Sequence, residues 1–145
     1  MWSAASVLVC ALSVLGRSQT SMPPIELIES GPPGVSAGAE AFVLRGTGTI
    51  YLITSSLVFR DAAHSRQTCA ESTAMKKLAS ILAHEEWHVL HGPDERAAYE
   101  RQLITLIRLG IDPGSSLYRN VLNSMRVVLN ARKRAAPQLL VARRE

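Results

Sequence analysis

Aromatic residues are scarce, only 5% of 145 positions. A chain so poor in stacking surfaces is not built to read single-stranded nucleic acid, which takes several aromatic platforms. Acids are missing from the C-terminal end. From Arg126 to Glu145 six Lys and Arg stand against one acid, leaving ten bases and eleven acids, of 16 and 12 in all, for residues 1–125. The folded part is therefore close to neutral, and no nucleic-acid partner is expected, because such a role would rest on the tail alone. Cysteine is nearly absent, with two in the chain. Cys10 sits in an apolar N-terminal run and Cys69 reads as a small apolar filler; removal of that run would leave no intramolecular disulfide to form.

Long apolar runs are missing too. Residues 2–16 carry no charge and include Val7, Leu8, Val9, Leu12, Val14 and Leu15, yet the run is short for a membrane span and suits a secretory h-region. No basic residue precedes it, so a buried first helix is the competing reading. Residues 1–18 are read as a signal or anchor segment, implying a secreted or membrane-associated protein, and otherwise a cytoplasmic one. Membrane association is assigned to residues 2–16 or to the basic tail. There is no internal repeat and no low-complexity tract.

What is present suffices for a single domain, since 47% of the residues are hydrophobic and 19% charged, enough to bury one core. Residues 19–39 hold Pro23, Pro24, Pro32 and Pro33 with several Gly and Ser, and read as an irregular connector. The domain proper is expected over 40–130. Residues 41–44 and 49–54 are β-prone and flank Gly46-Thr47-Gly48, which predicts a hairpin, with Leu57-Val58-Phe59 as a third strand or short extension. From Thr73 the apolar period changes: Met75, Leu78, Leu82 and Val89 predict a helix ended by Gly92-Pro93. A second helix is expected over about 94–109. A third follows Ser115-Ser116, with Leu117, Val121, Leu122, Met125, Val128 and Leu129 as its apolar face, ending near Asn130. Residues 131–145 are read as a basic tail.

The first helix carries His84-Glu85-Glu86-Trp87-His88, an H-E-x-x-H pattern that shuffling of this composition would produce roughly once in 150 trials. Residues four apart share a helix face, so both imidazoles can converge on one ion. Zinc suits such a pair, accepting neutral imidazole and keeping a position open for water when three protein ligands are supplied. Glu85 would stand beside that water as general base. A third ligand is required. His91 lies seven residues beyond His84, a rise of about 10.5 Å along a straight helix, too far to share the ion, and reads as a surface or second-layer residue or a helix C-terminal cap. Beyond Gly92-Pro93 the chain can turn back. Asp94 is placed to cap the second helix, which leaves Glu95 and Glu100 in competition. Glu86 and Trp87 read as helix surface, and His64 as a loop residue.

The stretch from His84 through Glu95-Arg96-Ala97-Ala98 to Tyr99 resembles the compact single-domain gluzincins, zinc metallopeptidases whose third ligand is a glutamate on the helix after H-E-x-x-H. In short-linker members that glutamate opens an E-x-x-A pattern, here Glu95 to Ala98. The resemblance covers residues 78–109 firmly and the preceding hairpin loosely. It implies His84, His88 and Glu95 as ligands of one zinc per chain, Glu85 as catalytic base, and a peptide or protein substrate. It further implies an edge strand that pairs with an extended peptide, a task assigned to residues 49–54. Tyr99, one turn from Glu95, is a candidate oxyanion donor or a core aromatic. The chain departs from larger gluzincins in lacking a long insertion between the helices and a second subdomain.

The expected fold is α+β: a small antiparallel hairpin packed on the H-E-x-x-H helix, a second glutamate-bearing helix and a C-terminal helix. Two functions from different classes follow. One is a zinc-dependent peptidase. The other is a catalytically inert zinc-binding or interaction protein, which the presence of Glu85 disfavours because a structural site needs ligands but no base.

Overall fold

The computed structural model describes residues 1–44 and 46–134. The fold is α+β, with five helices and a three-stranded mixed sheet among the described residues.

Helix α1 (Ala4–Leu15) starts where Ser3 accepts from the Ser6 N–H and stops at Gly16 in the left-handed region, a common helix ending. Its apolar residues fall at helical spacing, so Val7, Leu8, Ala11 and Leu12 face one way and are buried. They join Met75, Leu78, Ile81 and Leu82 of α3 (Thr73–His91) in the main core. The segment read as a signal or anchor is thus, in this fold, the first helix of the core, the competing reading. Among the described residues no helix is long and apolar enough to cross a membrane. Cys69 is not a filler: it is disulfide-bonded to Cys10, with Cα atoms 5.5 Å apart, because α1 packs beside the loop that leads into α3.

Strand β1 (Ile25–Ile28) corrects the connector assigned to residues 19–39. The prolines before it do not prevent pairing. Proline lacks a donor but keeps its carbonyl, and Pro24 accepts from the Ile50 N–H (2.9 Å) as the ladder begins. Strands β2 (Ala41–Val43) and β3 (Ile50–Ile53) form the expected antiparallel hairpin, with Phe42 opposite Tyr51. The strand order is β1-β3-β2, with β1 parallel to β3 in the register Ile25 to Ile50. Residues 49–54 therefore supply the central strand and not an edge; the missed β1 occupies the side that had looked free. One sheet face enters the main core through Ala41, Ile50 and Leu52. On the other, Phe42 stacks on Tyr51 with ring centroids 5.0 Å apart and Ala39 and Ile53 are buried.

Leu57-Val58-Phe59 belongs to a helix, not a strand. Helix α2 (Leu57–Ala63) is opened by Ser56, whose hydroxyl accepts from the Phe59 N–H (3.4 Å), and it buries Val58, Phe59, Ala62 and Ala63. That is helical spacing; the β-prone triplet misled only when read without its cap and its continuation. His64 closes α2. Helix α4 (Glu95–Arg108) packs against α3, and α5 (Ser116–Arg134) against α4 through Tyr99, Leu103, Leu106, Val121 and Met125. Helix α5 runs past the expected end at Asn130 and takes in the first residues of the supposed tail; residues 135–145 lie outside the described residues.

Candidate metal centre

The site is made by the turn between α3 and α4. Gly92, with φ +102° and ψ −158°, ends α3, and only two residues, Pro93 and Asp94, intervene before α4. Asp94 is the expected cap, its carboxylate accepting from the Ala97 N–H at 3.2 Å. Glu95 then falls on the first turn of α4 with its side chain turned towards α3. His84 and His88, one turn apart on α3, meet it there. The His84 and His88 Nε2 atoms are 3.2 Å apart, and His84 Nε2 lies 3.3 Å from Glu95 Oε1, which is also in short contact with His88 Nε2. One donor atom from each residue lies within 4.8 Å of the others, and all three residues are buried. This group is close enough to hold a metal ion.

Burial pushes the Glu95 carboxyl up, but hydrogen bonds and charge from His84 and His88 outweigh it and bring it from 4.5 to about 2. Glu95 is thus an anion at neutral pH, as a metal ligand must be. Each imidazole is held from behind. His84 Nδ1 is 2.8 Å from Oε1 of Gln102, and His88 Nδ1 is 2.8 Å from the main-chain carbonyl of Gly92. Acceptors behind the rings hold each Nδ1–H and turn the Nε2 atoms to the third residue.

The other candidates separate cleanly. Glu100 is exposed on the far side of α4, and His91 is exposed at the end of α3, tilted against Trp87 with ring centroids 4.9 Å apart. Tyr99 is buried and sets its ring edge-on to His84, centroids 4.5 Å apart at 87°. It also belongs to the core between α4 and α5. Glu85 is wholly buried beside His84 in the chain. Glu86 is not a plain surface residue: its carboxylate receives Arg17 through two contacts, 2.8 and 2.5 Å, which ties the end of α1 to the H-E-x-x-H helix. His64 is engaged with the Arg60 carbonyl (2.8 Å) and is not one of the residues that converge in the group.

Sequence reasoning missed Gln102. It lies seven residues after Glu95, on the stripe of α4 that also buries Ala98, Tyr99 and Leu106. A buried amide on an otherwise apolar stripe was the available signal.

A cleft of about 360 Å³ lies between the β2–β3 turn and the end of α3, lined by Val43, Leu44, Gly46, Gly48, His88, Val89, Gly92 and Pro93. It brings solvent to the His88 side of the group. Comparison with family models, with curated proteins and with solved structures finds no match for this chain.

Proposed function

We propose that this protein is a zinc-dependent peptidase in which His84, His88 and Glu95 hold one zinc ion and Glu85 is the general base. The observation that carries the proposal is the convergence of two imidazole Nε2 atoms and one carboxylate oxygen, with 3.2 Å between the two nitrogens and 3.3 Å from His84 to Glu95. In the metal-free protein imidazole protons bridge this group, and a metal ion would take their place. Tetrahedral zinc with bonds of about 2.0–2.1 Å spaces its ligands roughly 3.3 Å apart, which two of the three pairs match, and the closer His88–Glu95 pair would open slightly to admit the ion.

Bound zinc supplies Lewis acidity and an acidified water. The chain's own residues do the rest. Glu85, one residue from a ligand and wholly buried, would take the proton of the attacking water and return it to the leaving amine. Peptide binding is assigned to β2, the sheet edge beside the cleft. The Ile53 N–H donates to the Glu40 carbonyl (3.1 Å). Alternation along the ladder then turns the N–H and C=O groups of Val43 outward, where an extended substrate could pair with them, while Ala41 is wholly buried. Val43 also lines the cleft. The Cys10–Cys69 disulfide supports an oxidising compartment for this activity.

One observation favours the inert zinc-binding alternative: His84 and Glu95 are almost sealed, at 0% and 3% exposure, and of the three only His88 lines the cleft. A single experiment separates the two. Zinc-loaded wild type, Glu85→Gln and Glu86→Gln are given a mixed peptide library, with a chelator blank and metal analysis. Expected are cleavage by wild type and Glu86→Gln, and a loss of about a hundredfold or more in Glu85→Gln with zinc retained. Zinc without cleavage in every form would establish the inert protein; no zinc in wild type, or as much in His84→Ala, would remove both.

A further inference from the structure

We infer that Gln102, held by Ser80, is a positioning residue that fixes the ring tautomer of His84 and keeps its Nε2 lone pair on the metal side. The inference rests on the metal-binding reading of the group but not on peptidase activity.

The hydrogen-bond order runs one way. The main-chain carbonyl of Lys77 only accepts, and Ser80 Oγ is 2.6 Å from it, so the hydroxyl proton is directed there. Ser80 Oγ is left with acceptor capacity alone. It is 3.3 Å from Gln102 Nε2, which makes that end of the amide the NH2 group and turns Oε1 to His84 Nδ1 at 2.8 Å. Facing a carbonyl oxygen, Nδ1 must carry a proton, and in the neutral ring Nε2 is then the unprotonated nitrogen, turned to Glu95 and His88. A flipped amide would set two acceptors against each other at Ser80 and an NH2 group against Nδ1. That arrangement selects the Nε2–H ring, which has no lone pair on Nε2 to offer a metal ion at this group. Ser80, His84 and Gln102 are 0%, 0% and 2% exposed, so no bulk water relieves the misfit, and the native order is enforced.

His88 reaches the same end differently, since its Nδ1 partner is the Gly92 main-chain carbonyl, which cannot flip. One ligand is set by the backbone directly, the other by a relay of two side chains that ends on the backbone. An amide suits the relay better than a carboxylate would. It fixes the tautomer without adding a further negative charge to a buried region that already contains Glu85 and Glu95.

The test uses the full chain and two readouts. Imidazole ¹⁵N NMR of the metal-free protein under alkaline conditions gives the tautomer of each histidine, and competition with a chromogenic chelator gives zinc affinity. In wild type, His84 is expected as the Nδ1–H form. Gln102→Leu keeps volume but offers no acceptor, and should mix the tautomers and weaken zinc by roughly ten- to a hundredfold. Gln102→Glu restores an acceptor and should restore the Nδ1–H form. Ser80→Ala, a small change that serves if Gln102→Leu fails to fold, should admit the Nε2–H form at His84 and weaken zinc several-fold. His88 should keep its tautomer throughout, which separates this local effect from general loosening. An Nε2–H ring at His84 in wild type, or wild-type tautomer and zinc affinity in both Gln102→Leu and Ser80→Ala, would overturn the inference. Wild type that shows the Nδ1–H form yet binds no zinc would uphold the role of Gln102 in the tautomer and remove the metal reading instead.

Discussion

His88 and Gly92 are bonded to each other twice: the Gly92 N–H donates to the His88 carbonyl at 2.9 Å, and His88 Nδ1 donates to the Gly92 carbonyl at 2.8 Å. The residue that ends the helix is therefore also the one that aims a histidine of the site. Its φ of +102° with ψ −158° belongs to a region that glycine alone occupies readily.

Gly92→Ala should cost about 1–3 kcal/mol of stability and weaken metal binding although no donor atom is lost. An added Cβ would meet nothing within 4 Å, so the penalty is one of backbone conformation. Chemical denaturation and a zinc competition titration check it together; unchanged affinity would show that His88 does not depend on this turn.

Glu95→Ala should abolish stoichiometric metal binding, whereas Glu100→Ala should change affinity no more than a few-fold, because Glu100 is exposed and points away. Elemental analysis after dialysis against zinc distinguishes them. The reverse ranking would place the third ligand one turn further along α4.

Removing residues 1–18 should unfold the domain, since Val7, Leu8, Ala11 and Leu12 are part of the main core. Breaking the disulfide alone is milder. It closes a separation of 59 residues, for which loop entropy gives about 4 kcal/mol. Urea unfolding of Cys10→Ser, and of wild type with and without reductant, measures it; a truncated chain with the wild-type unfolding midpoint would contradict the packing of α1.

Acid should destabilise the metal-free protein through Glu95. Burial raises its carboxyl, His84 and His88 lower it more, and the net value falls from 4.5 to about 2. A group depressed on folding contributes stability that is present above the higher value and is lost as pH falls towards the lower one. Unfolding midpoints across that window should fall less steeply in Glu95→Gln than in wild type.

Much of this was legible in the chain. The 3.6-residue period and the Gly92-Pro93 stop located α3 and α4, and the two histidines four apart announced their convergence. Geometry along the helix set His91 aside. The choice between Glu95 and Glu100 was not available from spacing, since both follow the turn; the fold buries Glu95 against the histidines and leaves Glu100 exposed. What stayed hidden were relations across the chain. Strand β1 is four residues between proline pairs, and only pairing with β3 makes it a strand. That pairing moved residues 49–54 from edge to centre. The partner of Cys10 and the relay from Gln102 to Ser80 depend on α1 and α4 meeting α3, which no local window contains.

Two crosslinks of very different reach result. His84 and Glu95 are 11 positions apart, whereas the cysteines are 59 apart, and the two loops neither overlap nor share an element boundary. The short one fastens only the α3–α4 hairpin; the long one encloses α2 and the whole sheet and returns α1 to them. Loss of a bound ion would then fray one corner, while reduction would loosen the body of the domain. With zinc bound as proposed, the protein would have two separate points of failure, one answering to chelators and the other to thiols.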